Sequence, residues 1–169
     1  SPTSIDVAIL GGGPAGCSAA SWLGQMGMTT LLVEREPRLC AALAGLDFAQ
    51  DWVLGEPAAH LAALGQHYAA QAQATPGMTL RLGTRAEAAR HTPEGWTLQL
   101  ATGEHVQARA LLVATGLRLL RPARYFAVPH DRVLDAGQLT ARRETLPPGR
   151  VLLLGAGDNA AENALFLAE

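Results

Sequence analysis

The chain contains no lysine; all 13 of its basic residues are arginine. No lysine Schiff base can form within it. The arginine bias reads as that of a GC-rich genome rather than as function. Cysteine is almost as scarce. Cys17 and Cys40 are the only two, in neither a C-x-x-C nor a metal-ligand spacing. That argues for a reducing, cytoplasmic setting. Excess charge is missing as well. A formal net charge of -2 over 169 residues leaves no electrostatic footprint for nucleic acid or an anionic membrane. The five histidines are scattered, and His60 and His67 are spaced too widely for a usual ligand pair. No metal site is expected. Finally, 49% of the residues are hydrophobic, yet no run is long enough to span a bilayer. Val7 to Val33 carries no charge, but Gly11, Gly12, Gly13 and Pro14 break it early. Asp6 stands where a signal peptide would be basic.

What is present is a pattern. Ile5 to Leu10 is a short apolar run closed by the glycines, as a buried parallel strand would be. Pro14 to Met26 is Ala-rich, with proline at its start, where a missing N–H costs nothing. Leu31 to Val33 is a second apolar run. Strand, turn, helix and strand make a βαβ unit. In that context the glycines of Gly11-x-Gly13-x-x-Gly16 serve, in order, a tight turn, close approach of a pyrophosphate, and helix–strand packing. The helix N-terminus would offer its unpaired N–H groups and partial positive charge to phosphates. Glu34 ends the second strand, where a carboxylate can accept hydrogen bonds from a ribose diol.

Further along, Glu56-Pro57 opens a helical pattern reaching about Ala72, with Leu61, Leu64 and Tyr68 on one face. Met78 to Leu82 reads as a third parallel strand. Arg85 to His91, Trp96 to Ala101 and His105 to Ala108 read as a small antiparallel meander, the last two forming a hairpin. Ala110 to Gly116 reads as another buried strand. Pro122 to Pro148 has little periodicity and is expected to be a connection, with one short helix near Ala136 to Arg143. Then the opening pattern returns. Val151 to Leu154 should be a strand, Gly155-x-Gly157-x-x-Ala160 the turn, and the residues beyond a helix whose first turn Asp158 or Asn159 serves.

These motifs together resemble those of the two-dinucleotide-binding-domain flavoproteins, the family of thioredoxin reductase-like enzymes and flavin-containing monooxygenases. The resemblance covers nearly the whole chain. It implies an α/β fold: a Rossmann-like FAD-binding domain, built as a parallel sheet with a small antiparallel β-meander, then the start of a second Rossmann-like NAD(P)-binding domain. The expected boundaries are 1–121, a linker at 122–149, and 150–169. It implies Gly11, Gly13, Pro14, Ala15 and Gly16 at the FAD pyrophosphate and Glu34 on the ribose. Arg35 would lie beside the adenosine, Ala86 would meet the adenine through its backbone, and Ala114, Thr115 and Gly116 would flank the isoalloxazine. Gly155, Gly157, Asp158, Asn159 and Ala160 would meet NADP or NAD.

The departures matter too. Asp131 to Arg150 contains no cysteine, where thioredoxin reductase carries a C-x-x-C pair, and only Cys40 stands where the glutathione-reductase branch carries its own. A dithiol relay needs two thiols within reach. The likeness is therefore to cysteine-free relatives such as thioredoxin reductase-like ferredoxin–NADP reductases. The implied reaction is hydride transfer from NAD(P)H to flavin, then electron transfer to a small-molecule or small redox-protein acceptor, with no catalytic side chain named. A flavin monooxygenase and a non-catalytic nucleotide- or redox-sensing module remain open alternatives. A homodimer fits the full-length protein. Both ends read as cuts, so the chain is expected to be an N-terminal piece, inactive and weakly flavin-binding by itself.

Overall fold

Ile5–Leu10 forms β1, and every other strand of its sheet is placed by it. In this computed structural model, which describes residues 5–46, 49–50, 53–54, 59–117 and 130–168, the chain divides into two units, Ser1–Leu117 and Arg118–Glu169. In the first unit β1 pairs in parallel with β2 (Thr30–Val33) on one side. On the other side it pairs in parallel with the last strand of the unit. The short β3 (Ala49–Gln50) and β4 (Ala59–His60) form a separate antiparallel pair. The next strand, β5 (Met78–Arg81), pairs in parallel with β2. β6 (Ala86–Thr92), β7 (Gly95–Leu100) and β8 (His105–Val113) complete a six-stranded sheet of order β5-β2-β1-β8-β7-β6. The chain leaves β1 toward β2 on one side, while β8 returns on the other. The end of β1 is thus a topological switch point, where α/β sheets place their ligands.

Alternation along the strands builds two apolar layers. Val7, Ile9 and Leu32 face α1 (Pro14–Gln25) and α3 (Leu61–Gln73), and pack with Cys17, Ala20, Leu39, Cys40 and Ala72. Ala8, Leu31 and Val33 pack on the opposite side with Leu98, Leu100, Val106 and Ala108 of the meander. Ile9 and Leu32 are fully buried, and each contributes about 1.5–3 kcal/mol of hydrophobic stabilisation.

The structure differs from the sequence expectations in several places. The segments expected at His105 to Ala108 and Ala110 to Gly116 are one strand, because no turn residue interrupts Ala108-Arg109-Ala110. β8 runs antiparallel to β7 at His105–Ala108 and parallel to β1 from Ala108 to Val113, so it joins meander and parallel sheet. It stops at Val113, which is exposed rather than buried. Both meander connections are hairpins, since β6 also pairs with β7. α2 (Ala41–Ala44) and the β3–β4 pair are additional elements. Glu56 and Pro57 lie outside the described residues, and the described helix begins at Leu61.

The second unit holds α4 (Ala136–Arg142) between two 3-10 turns, and α5 (Asp158–Ala168). The expected strand at Val151 to Leu154 is not formed, and those residues are exposed. A strand needs a neighbour for its N–H and C=O groups, and the described residues of this unit contain no other strand.

A polar clamp fixes the entry to β1 and β2. The Asp6 carboxylate accepts hydrogen bonds from the Thr29 backbone N–H and hydroxyl, both at 2.9 Å. Arg109 reaches the same carboxylate at 3.2 Å. The Thr29 backbone bond, then its hydroxyl, then Arg109 hold the Asp6 carboxyl below the usual carboxylate range. Arg81 does the same for Glu104. Both depressed groups stabilise the fold above their unfolded pKa and lose that contribution as pH falls through the lower folded values. Thermal midpoints should therefore drop as pH falls below about 4. Asp6→Asn should lower the midpoint at neutral pH and make the acid limb shallower, and melting curves from pH 2 to 7 check this. In Gly16→Ala the new Cβ would fall on the Gly11 carbonyl oxygen. A loss of about 3 kcal/mol or more is expected in denaturant titration, beyond ordinary core overpacking.

Candidate functional site

The turn after β1 is packed backbone against backbone. Gly11 donates its N–H to the Val33 carbonyl at 2.9 Å and lies at φ +106, with its α-carbon against the Ala114 carbonyl. Gly16, in the first turn of α1, sits on the Gly11 carbonyl. The Ala114 N–H extends the ladder past β8 by donating to Leu10 at 2.7 Å. Turn, helix start and β8 end are therefore held together with no room for side chains.

Gly13 is different. Among the described residues a Cβ there would meet nothing within 4 Å, and its φ of -77 is open to any residue. The protein's own packing does not require glycine at this position. The open space lies at the N-cap of α1, which has no side-chain cap hydrogen bond and no acidic residue in its first turn. The first-turn amides, those of Ala15 and Gly16 among them, thus present free donors and partial positive charge to that space. A phosphate-sized anion suits it.

Glu34 lies half-buried beside this turn, and its carboxylate is already engaged. One oxygen accepts the Gly12 N–H at 2.6 Å and the other the Glu36 N–H at 2.8 Å. The side chain ties the end of β2 to the glycine turn. Each oxygen keeps a further lone pair for a ligand hydroxyl. A cavity of about 170 Å³ opens here and brings together Gly11, Glu34, Arg35, Ala86 and Thr115, all named from the sequence. Arg35 is exposed and pairs with Glu36 at 3.3 Å, so it stands at the rim. Gly116 lies past Thr115 at φ +70 and is exposed, outside this cavity. Pro14 and Ala15 border a larger hollow of about 460 Å³ between α1 and α3, which holds none of the carboxylate or strand-end groups.

Sequence reasoning missed Thr84 and Arg85, which also line the smaller cavity. The Thr84 hydroxyl is buried and has no hydrogen-bond partner among the described residues. The backbone explains their position: Gly83 and Thr84 donate to the carbonyls of Glu36 and Glu34, laying this segment along the end of β2. Their one sequence signal is that they immediately precede Ala86.

Sequence spacing separates the two cysteines, but the fold does not. Their sulfurs lie 3.8 Å apart, both buried. Cys17 Sγ and the Cys40 N–H both reach the Gly12 carbonyl, at 3.5 and 2.8 Å. The bond with Cys40 and burial push the Cys17 thiol up, whereas the bond from Cys17 draws Cys40 down.

In the second unit, α5 begins at Asp158, as the second glycine pattern implies. Gly155 lies at φ +141, and the Gly157 carbonyl accepts the Ala160 N–H at 2.9 Å. Gly155 to Asn159 are exposed. The turn and helix of this opening are present, and its strand is not.

The model of the pyridine nucleotide-disulphide oxidoreductase family matches residues 5–169. The ferredoxin–NADP reductase of Gluconacetobacter diazotrophicus is 33% identical over 177 residues, which cover 98% of this chain and 50% of that protein. The ferredoxin–NADP reductase of Sulfurisphaera tokodaii is 28% identical over 172 residues, 98% of this chain and 51% of its own length. The chain thus spans about half the length of the curated relatives it matches. Among solved structures, the atypical thioredoxin reductase TRi of Desulfovibrio vulgaris Hildenborough superposes with a TM-score of 0.58 at 28% identity, over 70% of this chain and 38% of that one. The thioredoxin reductase of T. acidophilum shares the fold with a TM-score of 0.63 at 20% identity, over 73% of this chain and 40% of its own. The family model spans the glycine turn, the acid after it and the sheet that positions them, and the chain belongs to the pyridine nucleotide-disulphide oxidoreductase family.

Proposed function

We propose that this chain supplies the FAD cradle and the opening of the NAD(P)H site of a flavoprotein oxidoreductase. The observation that carries the reading is Gly13: a glycine its own fold does not need, at the uncapped start of α1, beside a carboxylate at the end of β2. In this reading the amides of Ala15 and Gly16 bind the pyrophosphate of FAD. Glu34 orients the ribose, while Arg35, Arg85 and Ala86 enclose the adenosine end. Ala114, Thr115 and Gly116 line the way to the flavin ring. Gly155, Gly157 and the start of α5 hold the pyrophosphate of NADP or NAD. When bound, the flavin supplies the hydride and electron chemistry. The residues of the chain bind and orient, and none is assigned as acid or base.

The names of the ferredoxin–NADP reductases support NADPH as donor and a ferredoxin as acceptor. Domain limits of 1–121, 122–149 and 150–169, a cytoplasmic location and a homodimer of the full-length protein belong to the same proposal. No C-x-x-C pair is present, and Cys17 and Cys40, although close together, are both buried away from a disulfide substrate, which favours a one-electron protein acceptor.

The intact protein, reconstituted with FAD, should show a flavin absorption band that bleaches on anaerobic addition of NADPH and returns on addition of oxidised ferredoxin. Failure to take up FAD would overturn the proposal. Bleaching without recovery would remove ferredoxin as acceptor and leave the flavin site standing. In Gly13→Ala, FAD affinity should fall about 10- to 100-fold, equivalent to about 1.4–2.8 kcal/mol. Folding stability should change by about 1 kcal/mol or less, the scale of an N-cap glycine replacement. Unfolding that matches the loss of binding would contradict the assignment.

A further inference from the structure

The two cysteines have no part in the proposed flavin chemistry, yet the fold sets them side by side. Cys17 stands in the first turn of α1 and Cys40 at the entry to α2, each 2% exposed. Their sulfurs are 3.8 Å apart, and a disulfide requires about 2.05 Å. Two features make closure of that gap accessible. Cys40 is the one described non-glycine residue held at positive φ, +52, in the loop ahead of a four-residue helix. Such a conformation is strained for a non-glycine residue. Cys17 forms part of the wall of the 460 Å³ hollow between α1 and α3, which admits a molecule the size of hydrogen peroxide.

We propose that Cys17 and Cys40 form a peroxide-oxidised, dithiol-reversible disulfide that pins the loop after β2 to the start of α1 beneath the glycine turn. The chemistry balances. One thiolate sulfur attacks the O–O bond of hydrogen peroxide. That bond breaks, hydroxide leaves and takes up a proton, and the sulfur becomes a sulfenic acid. The second thiol's sulfur then attacks the sulfenic sulfur. The S–S bond forms, the S–O bond breaks, and water leaves with the thiol proton. The pair has given up two electrons and two protons, and the peroxide has become two waters. Both cysteines reach the Gly12 carbonyl, whose own N–H is held by Glu34, so the bond forms directly under the proposed cradle. The inference does not depend on flavin binding.

The test is peptide mapping of the folded wild-type protein, with its circular dichroism recorded first, so that no variant has to fold. After treatment with hydrogen peroxide, the protein is unfolded in iodoacetamide, digested and analysed by mass spectrometry. The expected product is a linked pair of peptides containing Cys17 and Cys40, two hydrogens lighter than the separate peptides. Dithiothreitol should return it to two thiols, and the linked peptides should be at least tenfold depleted in untreated protein kept under reductant. Recovery of both cysteines as alkylated thiols would overturn the proposal. So would separate sulfinic or sulfonic acids, or a link between two chains.

Discussion

Everything at the site depends on one close approach: the backbone of the turn after β1 lies directly on the end of β8 and on the first turn of α1. Gly11 sits against Ala114, and Gly16 against Gly11. Three elements of different origin in the chain are thereby fixed at the scale of a single atom. The strand order adds direction, because β2 and β8 leave β1 on opposite sides and the crevice between them falls at that turn. A side chain at Gly11 would push the turn off the end of β8, and one at Gly16 would push the helix start off the turn. The amides that make the helix terminus useful to an anion would move with it.

On that foundation the polar groups act in pairs of roles. Glu34 is a structural strut, because its oxygens hold the amides of Gly12 and Glu36, and in the proposed reading the same carboxylate meets the ribose. That dual use keeps the carboxylate at a fixed place beside the cavity before any ligand arrives, which is how preorganisation lowers the cost of binding. Gly13 contributes only space. The contrast between Gly13 and Gly16 separates what the fold needs from what a ligand would need, within a single motif.

Much of this was legible in the sequence, and the reasons are local. The strand, turn, helix and strand from Ile5 to Val33 could be read because apolar runs, glycine spacing and Pro14 agree over a short range. The continuous β8 was not, because the change of partner at Ala108 leaves no mark in the chain. Thr84 and Arg85 join the cavity through backbone pairing with Glu34 and Glu36, a contact between segments far apart in sequence. The cysteine pair escaped for the same reason: Cys17 and Cys40 are distant in sequence and meet at the carbonyl of Gly12 within one apolar cluster. The expected strand at Val151 to Leu154 shows the converse. Its pattern is right for a strand, but a strand is a property of two segments, and the described residues of its unit offer it no partner.

The most direct measurement of the central claim is a crystal structure of the intact protein with FAD. The account predicts the pyrophosphate in the space above Gly13, within hydrogen-bonding distance of the Ala15 and Gly16 amides, with a ribose hydroxyl on Glu34. A pyrophosphate seated elsewhere, with the space above Gly13 filled only by solvent, would contradict it.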